Sequence, residues 1–166
     1  MAAAPAVPGE GMHITRRLTT AGQDPYTTVP FRTATSEIRN PDGSVVFQAE
    51  GIEVPAEWSQ VASDILAQKY FRKAGVPACL VPIEEDGVPP WLWRRHTADS
   101  AALARLPAAT RYGGETDARP IFNRMAGTWT YWGWKGNYFD TEEDARAFYD
   151  ESRLMLARQI GAPNSP

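Results

Sequence analysis

Hydrophobic and polar positions alternate in places and recur at three and four in others. From Thr33 to Arg39 polar and less polar side chains alternate, Asn40-Pro41-Asp42-Gly43 follows, and Val45-Val46-Phe47 resumes an apolar run. Proline presets one turn dihedral and glycine accepts the positive one, so this stretch predicts a β-hairpin. Between Glu57 and Lys73 the residues Trp58, Val61, Ile65 and the Ala62/Leu66 pair recur at helical spacing and predict a helix with one apolar stripe. Gly75 is its expected cap and Pro77 blocks continuation. Prolines at 77, 82, 89 and 90 argue against regular structure from Val76 to His96, with Trp91-Leu92-Trp93 pinning that loop to a core.

Asp99 suits the cap of a short helix ending near Leu106. Thr116 or Asp117 suits the cap of another that runs to about Ala126 and turns Ile121, Phe122 and Met125 inward. The last helix is announced by Thr141-Glu142-Glu143-Asp144, a capping-box pattern with acids in the first turn. Ala145, Phe148, Tyr149, Ser152, Met155, Leu156 and Ile160 then trace one face, and Gly161 closes it before Pro163. Residues 1–30, rich in Ala, Pro, Gly and Thr, show no period and are expected to form an extended arm, ordered where they lie on a partner or on the domain surface. The fold class is α+β: an arm over 1–30, then a domain over 31–166 with a β-hairpin, three or four helices and long irregular connections.

Composition narrows the classes. The chain has 166 residues, 43% hydrophobic and 22% charged, with 14 prolines and 13 glycines, which fits one soluble domain and not a compact helical bundle. A net charge of -3 gives no electrostatic footprint for nucleic acid or an anionic membrane. The single cysteine, Cys79, excludes an intramolecular disulfide and suits the cytoplasm. The opening residues lack a cationic start and an apolar core, so no secretory signal is read there. No apolar run reaches the roughly 18 residues of a membrane span.

Candidate chemistry is sparse. The aromatic run Trp129 to Phe139 could stack on bases, but such platforms sit in basic grooves and only Lys135 is cationic there. Packing between flanking helices is the expectation, with a stand-alone nucleotide or single-strand nucleic-acid binding module as the alternative function. Tyr112-Gly113-Gly114-Glu115-Thr116 before a helix could cradle phosphate, yet lacks the full glycine pattern and the lysine of a phosphate-binding loop, so a turn is expected. Cys79 with His13 and His96 gives neither a convincing nucleophile–base pair nor a metal site. Glu84-Glu85-Asp86, Arg16-Arg17 and Arg94-Arg95 are expected to be solvated. No catalytic or metal-binding residue is visible in the residues alone.

Longer strings carry a resemblance. Thr19-Thr20-Ala21-Gly22-Gln23-Asp24-Pro25-Tyr26, Ser36 through Phe47, Val54-Pro55-Ala56-Glu57-Trp58-Ser59-Gln60, Asp64 through Pro77, and the stretch from Gly127 through Pro166 together resemble the N-terminal region of bacterial class II, adenosylcobalamin-dependent ribonucleotide reductases. The resemblance implies an enzyme family that reduces ribonucleotides to deoxyribonucleotides for DNA synthesis. Cobalt–carbon homolysis in adenosylcobalamin raises a thiyl radical on a cysteine, and a second cysteine pair supplies electrons. It implies that the partner of this segment is a ten-stranded α/β barrel carrying those cysteines and the cobalamin site, none of which this chain contains. The chain by itself is therefore expected to be inactive and to bind no cofactor alone. Of the family's site residues, only Ser165 matches, as a serine that touches the ribonucleotide substrate at the barrel entrance. Neither nucleic acid nor membrane is an expected partner, and the location implied is cytoplasmic.

Overall fold

The computed structural model describes residues 11–162. Ten regular elements follow in order: β1 (Phe31–Arg39), β2 (Val45–Pro55), α1 (Gln60–Lys69), β3 (Val76–Pro77), β4 (Leu80–Pro82), β5 (His96–Ala98), α2 (Ser100–Ala104), β6 (Tyr112–Gly113), α3 (Arg119–Lys135) and α4 (Glu142–Ala157). Single 3-10 turns occupy Pro25–Thr28, Pro90–Leu92 and Ala108–Thr110. The class is α+β, with four α-helices, three two-stranded sheets and no barrel among the described residues. Two compact units divide these residues: 11–29, 83–95 and 122–162 form one, and 30–82 with 96–121 form the other.

In the second unit β1 and β2 pair antiparallel from Phe31↔Pro55 to Arg39↔Val45. The predicted turn joins them: Gly43 sits at φ +87°, Asn40 N–H donates to Ser44 O at 2.8 Å, and Asp42 accepts from Ser44 N–H at 2.9 Å. Alternation buries Ala34 and Ser36 on β1 and Ile52 and Val54 on β2. Helix α1 packs on both strands. It begins at Gln60 rather than Glu57 because the Ser59 hydroxyl caps it, accepting from Ala62 N–H. It stops at Lys69, capped by Tyr70 and not by Gly75, and Phe71 turns into the core.

The apolar stripe expected on α1 is only half right. Leu66 is buried, but Val61 and Ile65 face solvent, and Ser63 and Ala67 take the inner positions. Small residues let the helix lie close on the hairpin, and the Ser63 hydroxyl remains satisfied by Ser59 O at 3.0 Å. The proline-rich stretch is also more regular than its composition suggests. Val76 and Pro77 pair with Gly113 and Tyr112, and Leu80, Val81 and Pro82 pair with Ala98, Thr97 and His96. Proline is tolerated because each ladder has two strands and thus only edges.

In the first unit α3 and α4 carry the buried side chains Phe122, Ala126, Thr130, Ala145, Ala147, Leu154, Leu156 and Ala157. Leu92, from the proline-rich loop, is fully buried here, as the Trp91-Leu92-Trp93 pattern predicts. Helix α3 does not end near Ala126; it runs to Lys135 through Gly127 and Gly133. Glycine costs about 1 kcal/mol in a helix interior, so tertiary packing overrides local preference. A Cβ at Gly133 would stand 2.6 Å from the Phe139 ring, which explains why that position is a glycine. Helix α4 starts as expected, with both capping-box hydrogen bonds between Thr141 and Asp144. It ends at Ala157, and the left-handed residue after it is Gln159 (φ +53°), not Gly161. None of the described helices is long and apolar enough to cross a membrane.

Candidate functional site

Residues 12–19 lie along α4 and are held there by four acids on that helix. Asp144, 2% exposed, accepts from Ile14 N–H at 2.7 Å and pairs with His13 Nδ1 at 2.8 Å. Arg16 bridges Glu143 at 2.9 Å and Asp150 at 2.8 Å. Glu151 gathers the backbone N–H groups of Arg17, Leu18 and Thr19 at 2.8–3.0 Å and the Thr19 hydroxyl at 2.7 Å. Burial works to raise the pKa of Asp144 and Glu151. The donors converging on them outweigh it and hold both below the usual carboxylate range. An acidic helix face thus serves as an internal clasp for the arm, and Arg16 is consumed in it instead of being solvated.

A second constellation alternates cations and rings. Arg146 lies 4.6 Å from the centre of the Trp91 ring, Trp91 and Tyr149 are 5.9 Å apart, and Arg153 lies 4.3 Å from Tyr149 and 5.3 Å from Tyr26. Arg94 joins from the side, 5.9 Å from Tyr149. Such contacts contribute about 0.5–2 kcal/mol each and fix the loop carrying Trp91 onto α4. Arg153 also holds Asp150 at 2.6 Å, while its Nε is buried without a partner.

The acidic loop is tied down rather than solvated at its middle residue. Glu85 accepts from the Tyr131 hydroxyl at 2.6 Å and from Lys135 Nζ at 3.2 Å, and Trp134 Nε1 donates to Gly87 O at 2.8 Å. The Tyr131 hydrogen bond, chiefly, lowers the Glu85 pKa, and the same contact raises that of Tyr131.

The aromatic run, expected to pack inward, divides. Phe139 is buried against Phe148 at 5.5 Å, Trp129, Tyr131 and Trp134 are half-buried, and Trp132 and Tyr138 are exposed. The inward positions of this helix go to Ala126, Gly127, Thr130 and Gly133 instead. Lys135, the sole cation in the run, is already paired with Glu85, so no basic groove accompanies the exposed rings.

The other sequence candidates do not converge. Cys79 is half-buried between β3 and β4, and its carbonyl accepts from Asp99 N–H at 3.0 Å. His96 pairs with Pro82, at the opposite end of the β4–β5 ladder from Cys79. Tyr112-Gly113 forms β6, so no phosphate-cradling turn leads directly into a helix; Gly114 is needed because a Cβ there would stand 2.7 Å from Lys73 O. No group of three or more His, Cys, Asp or Glu among the described residues could hold a metal ion. Ser165 lies outside the described residues. Sequence reasoning missed the arm clasp. Its acids sit at 143, 144, 150 and 151, a helical spacing, but their partners are more than a hundred residues away.

Comparison with known proteins places this architecture. The family model described as class II vitamin B12-dependent ribonucleotide reductase matches residues 32–159. Proteins named vitamin B12-dependent ribonucleotide reductase from Bradyrhizobium diazoefficiens and Agrobacterium fabrum are each 63% identical over 155 residues, 93% of this chain and 12% of theirs. One of the same name from Rhodopirellula baltica is 28% identical over 145 residues, 87% of this chain and 11% of its own. The chain thus spans about one eighth of the length of these relatives.

Proposed function

This chain belongs to the class II vitamin B12-dependent ribonucleotide reductase family, matching its N-terminal region, and from that premise we propose that it is the supporting N-terminal portion of such an enzyme, without activity of its own. The enzyme it serves reduces ribonucleotides to deoxyribonucleotides for DNA synthesis in the cytoplasm. The observation that carries the reading is 63% identity across 93% of this chain to reductases of which it makes up only 12%. Thiyl-radical reduction needs a radical cysteine and a reducing pair, and this chain has one cysteine in all.

Adenosylcobalamin, when bound, supplies the radical that starts the reaction. The resemblance to the family matches none of its cobalamin-holding residues to this segment. In this reading the cofactor, the three cysteines and the barrel that holds them belong to the rest of the enzyme. The role of the present segment is to pack on that part and frame the substrate entrance, with Ser165 touching the ribonucleotide there. The clasped arm and the cation–aromatic ladder support this role, since both stiffen a surface and neither performs chemistry.

Two assays test the proposal. The purified chain with adenosylcobalamin, a dithiol and ribonucleotides is expected to form no deoxyribonucleotide, whereas the Bradyrhizobium reductase with its matching segment replaced by this chain is expected to retain activity. Turnover by the chain alone would overturn the supporting role. Within an active chimera, Ser165→Ala is expected to raise KM; an unchanged KM would remove that residue from the substrate entrance.

A further inference from the structure

Two large aromatic side chains stand exposed together at the end of α3: Trp132 at 63% and Tyr138 at 61%. The segment that carries Tyr138 is fixed by backbone hydrogen bonds. Met12 N–H donates to Tyr138 O at 2.7 Å, Asp140 N–H donates to Met12 O at 3.2 Å, and Tyr138 N–H donates to Gly133 O at 2.8 Å. Gly136 N–H completes the last turn on Trp132 O at 2.9 Å, which places Gly136 one turn beyond Trp132 on the same face. The Tyr138 ring lies over Gly136, about 3.0 Å from where a Cβ would be, and so stands next to the Trp132 position. Asn137 at φ +55° makes the reversal that brings Tyr138 back.

We propose that the Trp132–Tyr138 face is the surface by which this segment docks on the remainder of the reductase polypeptide. The inference rests on the supporting role argued above and names the surface that performs it. Two observations select the occupant. The relatives devote 12% of their length to the matched segment, so most of their polypeptide is available to cover it. The chemistry of the face is also that of a protein-interface centre, where Trp and Tyr are enriched and charged residues depleted. A nucleic-acid strand is disfavoured by charge, because Lys135 is paired with Glu85 and the helix that follows opens with Glu142, Glu143 and Asp144. The rings are held in place before docking, which lowers the ordering cost of binding.

Hydroxyl-radical footprinting tests this on the isolated chain and on the full-length Bradyrhizobium reductase carrying this chain in place of its matching segment. Tyr70 at 50% and Tyr112 at 55% exposure serve as internal controls. In the isolated chain Trp132 and Tyr138 should react as readily as the controls, and in the full-length protein they should slow by about tenfold, as residues at a water-excluding interface centre do. Protection elsewhere in the chain with Trp132 and Tyr138 still reactive would overturn the assignment of this face while leaving the supporting role intact. No protection anywhere in the chain would sink both. Protection that grows with the concentration of the isolated chain would assign the face to a second copy. Protection by an oligothymidylate would assign it to a single strand. Either result overturns the proposal.

Discussion

Ser36 is fully buried on β1, and its hydroxyl has no hydrogen-bond partner. Leaving a polar group unsatisfied in a core costs about 1–3 kcal/mol, so Ser36→Ala is expected to raise stability by about 1 kcal/mol in urea unfolding. The glycines of α3 separate two kinds of close approach. At Gly133 an added methyl meets the Phe139 ring at 2.6 Å, and the ring is locked against Phe148. Gly133→Ala should therefore destabilise by about 1–3 kcal/mol despite a better helix propensity. At Gly127 the obstacle is the end of the flexible Arg94 side chain, so Gly127→Ala should fall within about 1 kcal/mol of the parent. Similar losses at both positions would show that Arg94 is as rigidly held as the ring.

The clasp between residues 12–19 and α4 is the element with the clearest pH signature. Asp144 and Glu151 have depressed pKa values in the folded protein. Their contribution is complete above the ordinary carboxylate pKa of about 4 and is lost as pH falls through the lower folded values. Unfolding midpoints should thus be flat from neutrality to about pH 5 and fall below pH 4. Glu151→Ala removes the acceptor for three backbone N–H groups, and trypsin should then cut after Arg16 and Arg17 several times faster while the rest of the chain resists. An unchanged cutting rate would mean that the Asp144 and Arg16 contacts and the Met12 backbone pairing hold the arm without Glu151. How legible an element was depended on how local its causes are. The Asn40–Gly43 turn and the Thr141–Asp144 box could be read because every group involved lies within four residues. The extension of α3 past Ala126 could not, because two glycines argue against it and its supports, Glu85, Gly87 and the Phe139 ring, are tertiary partners.

For the molecule as a whole, the proposed supporting role predicts no cobalamin seat in this segment. A ligand that binds the folded form raises its melting temperature by mass action. Adenosylcobalamin should leave the melting temperature of this chain unchanged at concentrations that shift that of a full-length reductase. A rise of several degrees would place part of the cofactor site in these residues. The family was legible from long strings, such as Asp64 to Pro77 and Gly127 to Pro166, well before any site was. Sequence strings preserve ancestry even where the chemistry resides elsewhere in the polypeptide.

The sequence by itself determined the family, the α+β class, the hairpin and the N-terminal ends of α2 and α4. These depend on composition, on short-range capping and on turn dihedrals. Tertiary structure alone decided which side of α1 is buried, where Arg16 and the acids of α4 find partners, and which rings of the 129–139 run reach solvent. Each of those outcomes is a competition for limited interior volume. On α1 Ser63 and Ala67 displaced Val61 and Ile65, and on α3 Gly127, Thr130 and Gly133 displaced Trp132. Close approach favours the smaller side chain, and hydrophobicity read along one strand of sequence does not contain the shape of what packs against it.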